Sequence, residues 1–135
     1  MNNEERWKQR FQNLNNAYAV FKRRLDGYLN ERDDEAEQMA LVQAFEIVQE
    51  LSWKTLKDYL ENKGYDDVKN SKQTIRRAFQ DEMIQDAEIW MQSIEIRNET
   101  SHTYNHETMK KVLAFIVDKY SRSLQTLYSR LKAEL

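Results

Sequence analysis

The stretch Leu41-Val42-Gln43-Ala44-Phe45-Glu46-Ile47-Val48-Gln49-Glu50-Leu51-Ser52-Trp53-Lys54-Thr55-Leu56-Lys57-Asp58-Tyr59-Leu60 decides the fold class. Leu41, Phe45, Val48, Ser52, Thr55 and Tyr59 recur at spacings of three and four, the period at which side chains share one face of an α-helix. Val42, Trp53, Leu56 and Leu60 make a second stripe beside the first. A face this wide belongs to a helix packed centrally against several others. Glu46 interrupts the second stripe. A buried carboxylate there needs a partner, whereas a place at the edge of the apolar face is the cheaper arrangement. The helix is predicted to begin near Asp34 or Glu35 and to end near Lys63, because Gly64 suits a left-handed C-cap.

The same period extends in both directions. Towards the N-terminus, Trp7, Phe11, Leu14, Tyr18, Phe21, Leu25 and Tyr28 predict a first helix from about Glu4 to about Leu29, its aromatics facing a core or an oligomer seam. Asn30–Asp34 connects it to the central helix. Beyond Gly64, Tyr65–Asn70 reads as a loop and Ser71 as the N-cap of a short third helix, Lys72 to about Asp81. Ile75, Ala78 and Phe79 are expected to face inward there, while Lys69, Lys72, Arg76 and Arg77 cluster as a basic patch, either a solvated face or a phosphate-contacting surface. Met83–Asp86 reads as a turn. A fourth helix from Ala87 to about Ser101 is expected to turn Ile89, Trp90, Ile94 and Met91 inward. Asn105 can cap a last helix, roughly His106 to Ala133, carrying Met109, Leu113, Ile116, Tyr120, Leu124, Leu127 and Leu131.

Composition agrees with this pattern. The 135 residues include no proline and no cysteine, two glycines, and charged residues at 33% of the chain. A sequence this poor in breakers favours helices joined by short turns. The expectation is an all-α, up-and-down bundle of four main helices and one short one, a single domain over residues 1–135. Without cysteine, disulfides, thiolate nucleophiles and cysteine-based zinc sites are excluded. The polar N-terminus does not resemble a signal peptide, and no apolar run approaches the ~18 residues that span a membrane, so a soluble cytoplasmic protein is expected. The net charge of -2 does not advertise a general nucleic-acid binder, although a local basic site is compatible with it.

Chemistry concentrates in Arg97-Asn98-Glu99-Thr100-Ser101-His102-Thr103-Tyr104, which holds one of only two histidines. A metal site built on Glu99, His102 and His106 requires one continuous helix through all three. Thr103 and Asn105 instead predict a break near residues 104–105 that takes His106 off the shared face, so no metal or cofactor is assigned. Metal-independent RNA cleavage needs a base for the 2′-hydroxyl proton, an acid for the leaving 5′-oxygen and a cation for the charge on phosphorus. His102 suits the proton transfers, and Arg97 suits the phosphate through its permanent charge and bidentate fork. Asn98, one turn before His102, can orient the imidazole. On an ideal helix, however, Arg97 and His102 stand about 140° apart. One straight helix cannot aim both into one pocket, so a helix end or a symmetric homodimer is called for. The competing reading pairs Arg97 with Glu99 or Glu95 and leaves His102 as a surface residue at a helix end.

Arg, four residues, His, one residue, Tyr, with Asn directly after the Arg, resembles the signature of HEPN-domain proteins. The resemblance extends through Ala44-Phe45-Glu46, Trp53-Lys54-Thr55-Leu56-Lys57-Asp58-Tyr59-Leu60 and Ile75-Arg76-Arg77-Ala78-Phe79, in order and spacing, to the branch labelled nucleotidyltransferase substrate-binding protein. Its members accompany a minimal nucleotidyltransferase, as in HepT/MntA-type toxin–antitoxin pairs. The resemblance implies a metal-independent endoribonuclease toxin in which Arg97 and His102 form the ribonuclease pair, Asn98 and Glu46 support them, and the partner enzyme attaches AMP to Tyr104. Lys72, Arg76 and Arg77 are candidate RNA contacts. The alternative is a non-catalytic subunit that presents substrate to the nucleotidyltransferase or scaffolds it.

Overall fold

The computed structural model describes residues 1–135, and every regular element in it is helical. Helix α1 runs Asn3–Asn30, α2 Glu35–Asn62, α3 Ser71–Gln80 and α4 Ala87–Glu99. A 3₁₀ turn, Thr100–His102, follows α4. Helix α5, His106–Phe115, passes through a π-helical turn, Ile116–Tyr120, into α6, Ser121–Lys132, without leaving helical backbone angles, so the three form one rod. The architecture is the expected helical bundle. No helix is long and apolar enough to cross a membrane.

Caps set the helix starts. Asn2, Asp34, Asn70 and Asn105 each accept backbone N–H groups of the first turn they precede, satisfying donors that a helix leaves orphaned. The third cap is Asn70, not Ser71, because the Asn70 side chain reaches Gln73 N at 3.0 Å and Ser71 becomes the first helical residue. At the other end of α2, Gly64 holds φ +100° just past the C-cap Lys63. A Cβ there would meet nothing within 4 Å, so the backbone angle alone demands glycine. Gly64→Ala is expected to cost about 1 kcal/mol in urea unfolding.

The core lies between α2 and its neighbours. All six residues of the first α2 stripe are buried, as are Val42, Leu56 and Leu60 of the second, while Trp53 is half-buried. Along α1 the expected stripe is buried except for Leu25, which is half-buried. The α5–α6 rod buries every position expected of it. Arg10 on α1 donates from Nε to Asp58 Oδ2 on α2 at 2.8 Å, and Asp58 is only 4% exposed, so the long α1–α2 interface carries one largely buried ion pair among its apolar contacts.

In α4 Trp90 is buried as expected, together with Ser93 and Ile96, and Ile89, Met91 and Ile94 pack half-buried against the core. One expectation is corrected. Phe79 does not face inward; it is 51% exposed. Thr74 takes the place assigned to it. With Thr74, Ala78 and Ile75 buried, the inward arc of α3 centres on Ala78, and Phe79 stands about 100° from that centre. The chain then reverses through Glu82 at φ 62°, and Met83 and Ile84 return as backbone donors to Ala78 O, filling the core below the end of α3.

Candidate functional site

The motif occupies the corner where α4 gives way to α5. Arg97 lies in the last turn of α4, and its guanidinium leans on α2. Nε donates to Glu46 O at 3.3 Å and Nη1 stands 3.4 Å from Glu50 Oε2. These contacts engage Nε and Nη1, and the side chain remains 38% exposed. Glu50 is itself held from its other sides, by Lys54 Nζ at 2.9 Å and by Trp53 Nε1 at 3.3 Å. Partial burial pushes the Glu50 carboxyl up, but the hydrogen bonds from Lys54 and Trp53 and the charge of Arg97 outweigh it and hold the group below the ordinary carboxylate value.

Glu46 takes the edge position. It is half-buried, and its Oε2 accepts from Thr100 Oγ1 at 3.0 Å, which also donates to Arg97 O at 2.7 Å. Thr100 thereby ties the end of α4 to α2 where the helix tightens into its 3₁₀ turn. Thr103 Oγ1 donates to Thr100 O at 3.1 Å, and Asn105 restarts the helix. Local hydrogen bonding by small polar side chains ends α4 here.

His102 closes the 3₁₀ turn and is exposed, its ring edge-on to Tyr104 with centroids 6.0 Å apart. Tyr104 is 86% exposed, more than any other large hydrophobic side chain in the protein. Asn98 is exposed, and no hydrogen bond joins it to the His102 imidazole. Arg97 lies against α2, and neither it nor His102 lines the groove beside Tyr104, which Ser101, Thr103, His106, Met39, Gln38 and Asp33 help to form. His106 thus faces the Tyr104 side of the corner. Glu99 is spent on Lys111 Nζ at 2.9 Å, and the chain nowhere gathers three His, Asp or Glu side chains in a metal-binding arrangement.

The candidate contacts on α3 separate. Arg77 donates to Asp67 from Nη2 at 2.6 Å and from Nε to both carboxylate oxygens at 3.1 and 3.3 Å, and lies over the Tyr65 ring, while Lys72 and Arg76 are exposed and unpaired. Sequence reasoning missed Glu50 and Thr100. The signal for Glu50 was present in its i,i+4 spacing to Lys54 and its place one turn after Glu46.

A family model described as nucleotidyltransferase substrate binding protein like matches residues 9–133. The chain belongs to that family. The match begins inside α1 and runs past the end of α6, so the corner that carries Arg97, His102 and Tyr104 lies within the matched residues. No curated protein gives a significant match. The family description associates the protein with a nucleotidyltransferase.

Proposed function

We propose that this family member is the toxin half of a two-gene toxin–antitoxin system of the HEPN type. In this reading it is a metal-independent endoribonuclease that a minimal nucleotidyltransferase neutralises by attaching AMP to Tyr104. The observation that carries the reading is the exposure of His102 and Tyr104 at the corner of the bundle where the half-buried Arg97 lies in the last turn of α4. His102 takes the 2′-hydroxyl proton of the RNA. The freed oxygen attacks the adjacent phosphorus to form a 2′,3′-cyclic phosphate, and the departing 5′-oxygen receives a proton. Arg97, with its Nη2 group uncommitted, meets the charge on phosphorus. Asn98 orients the imidazole once substrate is bound.

One chain does not bring the two groups into a single pocket, so the reading includes a homodimer in which paired corners line a cleft and supply a second histidine. An exposed apolar strip on α1 and α2, with Val20 at 37% and Ile47 at 49% exposure beside Ala36 and Ala40, is a surface a second copy can cover. In the silencing step the Tyr104 phenol oxygen attacks the α-phosphorus of ATP and pyrophosphate leaves. The negative charge and bulk added beside His102 repel RNA.

A second reading rests on the same separation of Arg97 from His102: a non-catalytic subunit that presents substrate to the nucleotidyltransferase. The purified chain, incubated with RNA in chelator, separates the two. Cleavage supports the first, and a stable complex with the enzyme but no cleavage supports the second. With the partner enzyme and ATP, wild type is expected to gain the mass of one or more AMP groups and to stop cleaving. Tyr104→Phe is expected to gain none and to keep cleaving, and AMP attached to Tyr104→Phe would remove Tyr104 from the scheme.

A further inference from the structure

The exposed face of α3 is unaccounted for by the corner site. Lys72, Phe79 and Arg76 fall within about 60° of one another on an ideal helix and form one stripe. All three are exposed, Phe79 to 51%, and neither cation has a carboxylate partner. Arg77, their neighbour in sequence, is excluded by its hydrogen bonds to Asp67. At its C-terminal end the stripe opens into a groove lined by Phe79, Gln80, Glu82, Ile84, Gln85 and Arg130. Within the groove Arg130 faces one carboxylate, Glu82, while Lys72 and Arg76 on the adjoining helix face are unpaired, and the neighbouring Asp81 is taken up by Lys63 and Tyr65.

We infer that this stripe binds single-stranded RNA, with a base stacked on Phe79, phosphates on Lys72 and Arg76, and the Gln80 and Gln85 amides facing base edges. A flat ring beside cations at helical spacing is the arrangement that single strands use, since every base has a face to stack and a phosphate beside it. A protein partner would need a broader apolar surround. Here the only other apolar groove residue is Ile84, which is 4% exposed. The turn at Glu82 explains the display: by burying Met83 and Ile84 it leaves Phe79 in solvent. The inference rests on the reading that RNA is the substrate, and it adds a second place along the strand at which the protein holds it.

The test uses fluorescence anisotropy of a labelled single-stranded RNA in chelator, on the His102→Ala background so that the strand stays intact. Phe79→Ala is expected to weaken binding about tenfold with little change in salt dependence, and Phe79→Trp to restore it. Lys72→Ala and Arg76→Ala are each expected to lower the slope of log affinity against log salt by about 0.7. Duplex RNA of the same sequence should bind more weakly and respond less to Phe79→Ala. Because these side chains are exposed, unchanged melting temperatures should accompany the effects. Equal binding by all variants overturns the inference, as does loss of the nucleotidyltransferase complex with RNA affinity unchanged. Undiminished cleavage with all three residues replaced removes the stripe and leaves the ribonuclease. Binding through the stripe by a wild-type chain that never cleaves removes the ribonuclease and leaves the stripe.

Discussion

His102→Ala is expected to slow RNA cleavage by about 10²- to 10⁴-fold, the range contributed by a positioned general acid or base. The measurement is single-turnover cleavage of a labelled RNA in chelator, where wild type should retain full activity. The side chain is exposed and its ring contact is with Tyr104, so the fold should not suffer, and circular dichroism will register any loss that has another cause. Arg97→Ala should lose a comparable factor, because a permanent cation is removed from the phosphorus that carries the developing charge. Arg97→Lys should recover only part of it, since an ammonium keeps the charge but cannot reproduce a planar fork held by Glu46 O at Nε and by Glu50 at Nη1. Glu50→Ala should give a smaller loss, expressed mainly in KM, because it frees the guanidinium without removing it. Cleavage unchanged in His102→Ala would leave the corner without a proton-transfer role and favour the substrate-presenting subunit.

What the sequence made legible follows the strength of its periodic signals. The α1 stripe from Trp7 to Tyr28 and the double stripe of α2 are long and regular, and the structure buries them nearly as read. The N-cap was legible at Asn105, a single cap-forming residue at its boundary. At Asn70-Ser71 two adjacent cap-forming residues made the choice depend on a side-chain hydrogen bond that no pattern encodes. The short α3 failed for a related reason. With ten residues, its inward arc is fixed by three positions, and one of them is Thr74, a polar residue that satisfies its hydroxyl on Asn70 O at 2.8 Å and so can be buried. The π-helical turn at Ile116–Tyr120 left no trace in the apolar spacing, since residues three and four apart continue through it. At the site, the angular separation of Arg97 from His102 was readable from helix geometry alone. Where Arg97 points was not, because Glu50 lies in a different helix and the pair is made only by packing.

The largest effect on stability is expected at Tyr120, inside that π-helical turn. Its ring is wholly buried and packs against Phe45 at 4.9 Å, Trp90 at 5.3 Å, Phe115 at 6.0 Å and Phe21 at 6.2 Å between centroids, joining α1, α2, α4 and α5. Tyr120→Ala should therefore cost about 3–5 kcal/mol in denaturant unfolding, the range for deleting a large buried aromatic. Tyr120→Phe should behave differently. The phenol has no hydrogen-bond partner, and the Ser52 hydroxyl beside it donates instead to Val48 O at 2.5 Å. Removing an unpaired buried hydroxyl while keeping the ring should change stability at neutral pH by less than about 1 kcal/mol, and in the favourable direction. In alkali the two chains should part. Burial raises the Tyr120 phenol well above the ordinary tyrosine value, more than the nearby Ser52 hydroxyl offsets. The folded chain therefore keeps this proton to higher pH than the unfolded chain does. The stability tied to the neutral phenol is complete below the free tyrosine value of about 10 and falls as pH rises past it. Tyr120→Phe has no such proton to lose, so its alkaline unfolding midpoint should lie above that of wild type. Coincident alkaline transitions would show that the phenol finds a partner for its charge, and the contrast between the Ala and Phe variants would then measure that contact together with the ring.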